Sequence, residues 1–153
     1  MLLDLDPRAG EKKGCRLLVA GVGTAGCQAV TRWRETYSGI RDLPDTLAVH
    51  TDSSVLEVSR ADRTFQLGAT LNQGMGSGGD MKVGAFAVEE ATDALAEVFS
   101  GYDLVFFLVG LGGGTGGGAA PALVRLARDM DVLTISMVTT PFVFEGDQRR
   151  RMA

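Results

Sequence analysis

An apolar run, DLVFFLVG, passes without a break into LGGGTGGG and then into AAPALVRLARD, so that seven glycines fall within residues 110–118. Glycine loses more backbone freedom on folding than any other residue, so a cluster this dense must serve a local use that offsets its cost. The run before it, residues 103–110, is apolar at consecutive positions, the pattern of a strand buried on both faces. The run after it, residues 120–129, has helix composition, with Pro121 in an early position where proline is tolerated. The glycines therefore sit where a strand hands over to a helix.

The same arrangement recurs upstream. CRLLVAGVG (15–23) reads as a buried strand that ends in the glycine loop GVGTAG (21–26), and residues 25–37 follow as a helix with Ala29, Val30 and Trp33 available for one face. TLAVH (46–50) and TFQLG (64–68) are further strands. A third glycine loop, GMGSGGD (74–80), precedes the longest expected helix, residues 80–100. There Val83, Ala87, Ala91, Ala94, Leu95 and Val98 recur at helical spacing, with Glu89, Glu90, Asp93 and Glu97 mostly opposite. Asp80 is placed to cap it. VLTISMVTT (132–140) is the next strand, and FEGDQRRRMA opens another helix, while residues 1–14 read as a flexible tail. Such alternation predicts a doubly wound α/β domain over residues 15–153, built on a mainly parallel sheet covered on both sides. Its glycine junctions then lie at the carboxyl ends of strands, where such sheets bind ligands.

Composition narrows the chemistry. The net charge is −4 and the one dense basic run is three arginines at 149–151, which argues against a nucleic-acid partner. Cys15 and Cys27 follow no metal-ligand spacing, and a single histidine leaves no cluster for zinc. The expected setting is a reducing cytoplasm. No run approaches the ~18 apolar residues of a membrane span, so no membrane insertion is expected. Cys27 lies near a helix start, which lowers a thiol pKa, yet no basic partner surrounds it in sequence and a structural role is expected.

None of the three loops carries the lysine next to serine or threonine of a Walker loop. The remaining route is a phosphate held by backbone N–H groups. Gly112, Gly113, Gly114, Thr115 and Gly116 suit a nest of amides leading into a helix amino end, with Thr115 adding a hydroxyl. Gly21, Gly23 and Gly26 have dinucleotide-fold spacing, weak on its own, and a tight connection explains them as well. Close packing of helix on strand is the bland alternative at 110–118.

The stretch GLGGGTGGGAAP (110–121) resembles the signature of the tubulin/FtsZ superfamily, most of all its bacterial division members. GVGTAGCQAV resembles the first phosphate loop, and AVHTD (48–52) the segment after the second strand. GMGSGGDMKVG resembles the third loop and VTTPFVFEGDQRR the sugar-binding loop, so the resemblance runs over about residues 16–153. It implies GTP or GDP across the strand tops. Gly112 to Gly116 would wrap the phosphates, Gly21, Gly23, Thr24, Gly26 and Gln28 would hold the other side, and Gly76, Gly78 and Gly79 would close over the terminal phosphate. Glu145 would accept from the ribose hydroxyls, Arg149 would reach the nucleotide, and Asp52 would help position magnesium through water. The choice of guanine rests on the resemblance alone.

The sequence also departs from the family pattern. Thr24, Cys27 and Gln28 stand where two glycines and an asparagine are usual, His50 replaces an asparagine, and Gly117 a threonine. Relatives continue into a central helix, an acidic loop that completes hydrolysis on the adjacent subunit, and a second domain. With these absent from the 153 residues, the resemblance implies an incomplete nucleotide-binding domain with little hydrolysis of its own. The sheet face left open by the central helix, with strand 132–140 at an edge, is expected to draw the chain into a dimer or a filament with homologous subunits. Two other classes stay open. One is a dinucleotide-dependent oxidoreductase with Asp52 on the ribose. The other is an interaction module that has lost nucleotide binding and contacts full-length relatives.

Overall fold

The computed structural model describes residues 14–153; the expected amino-terminal tail, apart from Gly14, lies outside the described residues. Five strands form one parallel sheet: β1 (Leu17–Val22), β2 (Asp45–His50), β3 (Arg63–Gln66), β4 (Leu104–Gly110) and β5 (Leu133–Thr139), in the order β3-β2-β1-β4-β5. The chain works outward from β1 to β3, then returns to lay β4 on the other side of β1. This reversal between β1 and β4 opens a crevice at their carboxyl ends, the place where doubly wound sheets take ligands. Register follows from the pleat, with Leu18 opposite Val105, Ala20 opposite Phe107 and Val22 opposite Val109.

One face of the sheet carries Leu18, Ala20, Val22, Leu47, Val49, Val105, Phe107 and Val109, all buried. Against it pack α3 (Met81–Glu90), α4 (Thr92–Phe99) and α5 (Ala120–Asp129), through Ala87, Val88, Leu95, Phe99, Leu123 and Ala127. Phe99 meets Phe107 edge to face at 6.0 Å, and truncating either to alanine costs about 3–5 kcal/mol. The other face receives α1 (Gly23–Thr36), with the short α2 (Ser53–Glu57) beside it, around Cys27, Ala48 and Leu56.

Two expectations need correction. The helix of residues 80–100 is two helices, broken at Ala91. There the Thr92 hydroxyl donates to the Val88 and Glu89 carbonyls, competing for acceptors of the last turn of α3. The inward face shifts accordingly: Gly84, Ala87, Val88, Leu95 and Phe99 are buried, whereas Ala94 is exposed. In α1 the inward positions are Gly23, Gly26, Cys27 and Val30; Ala29 is exposed, and Trp33 is half-buried beside Tyr37. The open sheet face expected beside strand 132–140 is present. β5 is an edge strand whose Leu133, Ile135 and Met137 are 63, 46 and 57% exposed.

Candidate functional site

The carboxyl ends of β1, β2, β4 and β5 surround a cavity of about 690 Å³. Two helices point their amino ends at it. α1 starts at Gly23, directly after β1, and its N-cap is Val22, which supplies no side-chain hydrogen bond. The second follows β4, where Thr115–Ala119 form a π-helical turn that runs into α5, again with no side-chain cap. Neither helix has an acidic residue in its first turn. The first amides of a helix have no intrahelical acceptor, and they carry the positive end of its dipole. The contrast with α2 and α3 is informative. Asp52 accepts from the Ser54 amide at 2.9 Å, and Asp80 accepts from the Lys82 amide at 2.8 Å, so those ends are already neutralised by carboxylates. The two ends left with neither a side-chain cap nor a first-turn carboxylate converge where an anion can serve them both.

The glycines divide by what surrounds them. Gly23 takes φ +74°, the turn that lets β1 enter α1 at once, and Gly112 takes φ +87° against Pro141 and the Arg149 carbonyl. A Cβ on Gly21 would overlap the Gly26 carbonyl, and one on Gly26 would overlap the Leu108 carbonyl, so these two let α1 lie directly on β1 and β4. Gly114, Gly116 and Gly118 are likewise crowded, by Ser77 and Asp80, by the Gly110 carbonyl and by the Met81 carbonyl. Around Gly78, Gly79 and Gly113, by contrast, there is open space. Packing thus accounts for much of the glycine at 110–118, and the cavity for the remainder.

Of the expected site residues, the cavity wall brings together Thr24, Asp52, Gly76, Gly78, Gly79, Gly112, Gly113, Gly114, Thr115, Gly116, Glu145 and Arg149. Gly21, Gly23 and Gly26 lie beneath the wall, and Gln28 faces a neighbouring hollow with Arg32, Glu35 and Ser54. Thr115 is 5% exposed, its hydroxyl 2.6 Å from that of Thr51 and 3.4 Å from that of Ser77. Glu145 accepts from the Phe142 amide at 2.9 Å and from Arg149 at 3.1 Å. Asp52 is held below the usual carboxylate range, chiefly by its hydrogen bonds from Ser54. Ser77, Thr51 and Phe142 were not among the expected site residues, although each lies in a stretch that resembles a family loop, GMGSGGDMKVG, AVHTD and VTTPFVFEGDQRR respectively.

His50 lines the cavity too. Its Nδ1 accepts from the Asp52 amide at 2.8 Å, and its Nε2 lies 3.1 Å from the Thr24 hydroxyl. Burial holds the ring below the usual histidine pKa, only partly opposed by the Asp52 charge. Cys27 sits at the other extreme. Its thiol donates to the Val49 and Gly21 carbonyls, and burial pushes its pKa up to about 12, overriding the helix start.

Residues 16–153 match the family model described as "Tubulin/FtsZ family, GTPase domain". The chain belongs to the tubulin/FtsZ family. It is 42% identical over 147 residues to the cell division protein FtsZ of Caulobacter vibrioides, covering 96% of this chain and 28% of that one. Identity to cell division protein FtsZ 1 of Pyrococcus furiosus is 41% over 143 residues, covering 94% of this chain and 38% of that one. Among solved structures, an empty FtsZ dimer from M. jannaschii superimposes with TM-score 0.83 at 34% identity, over 95% of this chain and 43% of that one. A protofilament of CetZ2 from Haloferax volcanii gives 0.76 at 27% identity, over 88% of this chain and 42% of that one. This tubulin/FtsZ chain therefore spans well under half the length of those relatives.

Proposed function

We propose that the chain binds one guanine nucleotide, GTP or GDP, as the nucleotide-carrying part of a self-assembling cytoskeletal protein. The observation that carries this is the convergence of two uncapped helix amino ends and the open glycines 78, 79 and 113 on one cavity at the strand tops. The phosphates lie against the amides of 112–116 and the start of α1, with Gly76, Gly78 and Gly79 opposite. Glu145 and Arg149 form the sugar side, a carboxylate being acceptor-only and suited to ribose hydroxyls. Gly21, Gly23 and Gly26 serve the site by letting α1 approach, whereas Gln28 stays outside the wall, in the neighbouring hollow. Among the described residues no three acidic, histidine or cysteine groups converge as a metal cage. Magnesium in this reading would be held by phosphate oxygens and water, with Asp52 lining the wall.

Hydrolysis by this chain alone is slow in this reading. The wall carboxylates are Asp52, which caps α2, and Glu145, which pairs with Arg149. Asp52 is held low by its hydrogen bonds from Ser54 and Glu145 is engaged by the Phe142 amide and Arg149, so in this reading the carboxylate that activates water comes from an adjacent subunit. Calorimetric titration with GTP, GDP and ATP in magnesium tests the reading. One-to-one binding of guanine nucleotides is expected, and silence at millimolar nucleotide would refute it. A second reading, a module that contacts homologous subunits without nucleotide, draws on the exposed apolar residues of β5 and the stacked pair Phe142 and Phe144. No described helix is long and apolar enough to cross a membrane.

A further inference from the structure

The pair formed by His50 and Thr24 has no part in the fold's hydrophobic core, yet it stands on the cavity wall at the amino end of α1. Its hydrogen-bond directions can be worked out. A backbone amide can only donate, so the Asp52 N–H, 2.8 Å away, requires the His50 Nδ1 to be the unprotonated nitrogen. The proton of the neutral ring is then on Nε2. Burial, which favours that neutral ring, acts in the same sense. Nε2–H points at Thr24 Oγ1, 3.1 Å away, and must donate to it. A hydroxyl has one proton to give and accepts on its lone pairs. Once Thr24 accepts from His50, its own proton is free for another partner.

We propose that His50 is a positioning residue that turns the Thr24 hydroxyl into a donor to a phosphate oxygen of the bound nucleotide. The relay runs Asp52 N–H to Nδ1, Nε2–H to Thr24 Oγ1, and Thr24 O–H to the anion. Accepting one hydrogen bond polarises a hydroxyl and strengthens the one it donates. Thr24 thus supplies at the wall a neutral side-chain donor beside the amides of its own helix start. His50 is 6% exposed and commits its one N–H to Thr24, so it acts through the hydroxyl rather than on the ligand.

This inference rests on the nucleotide reading, and the test separates the two. The chain has a single histidine, so one pair of imidazole nitrogen signals reports its tautomer in the free protein. The relay requires Nε2–H with Nδ1 unprotonated, and the opposite tautomer overturns it whatever binds. Calorimetry with GDP follows on the full chain and four variants: Thr24→Val, His50→Ala, His50→Gln and the double variant Thr24→Val/His50→Ala. Thr24→Val raises Kd by about tenfold or more, the size of one hydrogen bond to a charged group. His50→Ala weakens binding when Thr24 is present, but by less than about twofold in the Thr24→Val background, the non-additivity that a relay demands. His50→Gln, whose side-chain N–H reaches about as far as Nε2, restores most of the affinity. It also covers the case in which His50→Ala fails to fold. Tight GDP binding with additive losses, or with no loss in Thr24→Val, overturns the relay and leaves the nucleotide reading standing. Absence of GDP binding by the unsubstituted chain overturns both.

Discussion

The two cysteines show how burial and position compete at the scale of one residue. Cys15 is exposed and Cys27 is buried, although only Cys27 has the helix start that favours a thiolate. Desolvation wins at Cys27, and its pKa of about 12 makes a testable prediction. In the unfolded chain the thiol ionises near its ordinary value of about 8.5, whereas in the folded chain it stays protonated well above that. The folded state therefore holds the extra proton, and the stability it contributes is present below about pH 8.5 and lost as pH rises toward 12. At about pH 10 the loss is about 2 kcal/mol. Denaturant unfolding at pH 8 and pH 10 should show this drop in the natural sequence and a smaller one in Cys27→Ala. The comparison cancels other alkaline groups such as Tyr102, whose pKa burial also raises. In the native protein a thiol reagent should label Cys15 quickly and Cys27 only after unfolding.

At the scale of elements, the period of the sequence and its glycines located the five strands and the loops between them. The dense run at 110–118 marked the site because it had to lie where β4 ends. Other features were hidden in the sequence because they are tertiary. The break at Ala91 depends on a threonine hydroxyl reaching back to two carbonyls, and helical spacing carries no trace of that choice. Nor does spacing tell a glycine that lets two backbones touch from one that leaves room for a ligand. GVGTAG reads as a phosphate loop, yet Gly21 and Gly26 are packing glycines, while the cavity wall carries Thr24 and Ala25. Substitution separates the two kinds. Gly26→Ala drives a Cβ into the Leu108 carbonyl and should destabilise the fold by about 2 kcal/mol or more, as overpacking does. Gly113→Ala meets open space, so its thermal midpoint should stay close to that of the natural sequence. A Cβ in that space crowds the anion instead, and nucleotide affinity should fall about tenfold. Equal affinity in a folded Gly113→Ala protein would take residue 113 out of the phosphate cradle.

At the scale of the whole molecule, the sheet is asymmetric in a way that bears on assembly. β3 and β5 are both edges, but only β5 shows a row of exposed apolar side chains, Leu133, Ile135 and Met137, in register with Leu104, Phe106 and Leu108 of β4. An apolar strand left at an edge offers both unpaired backbone and an unburied face, and proteins that keep such edges usually cover them. The chain on its own should therefore self-associate as its concentration rises. Lysine at both Ile135 and Met137 should shift it toward monomer without unfolding it, because each side chain is already about half exposed. β5 also leads straight into Pro141, Phe142, Glu145 and Arg149 of the cavity wall. An association that holds β5 in place thereby bears on the same segment a nucleotide contacts. Coupling between two binding events is reciprocal. If GDP shifts the dimer constant by some factor, dimerisation must shift GDP affinity by the same factor. Sedimentation with and without GDP, set beside calorimetry at low and high protein concentration, measures both sides of that equality. A monomer at every concentration would remove β5 as an association surface. Association that ignores GDP would instead uncouple the edge from the cavity, leaving the wall segment 141–149 rigid between them.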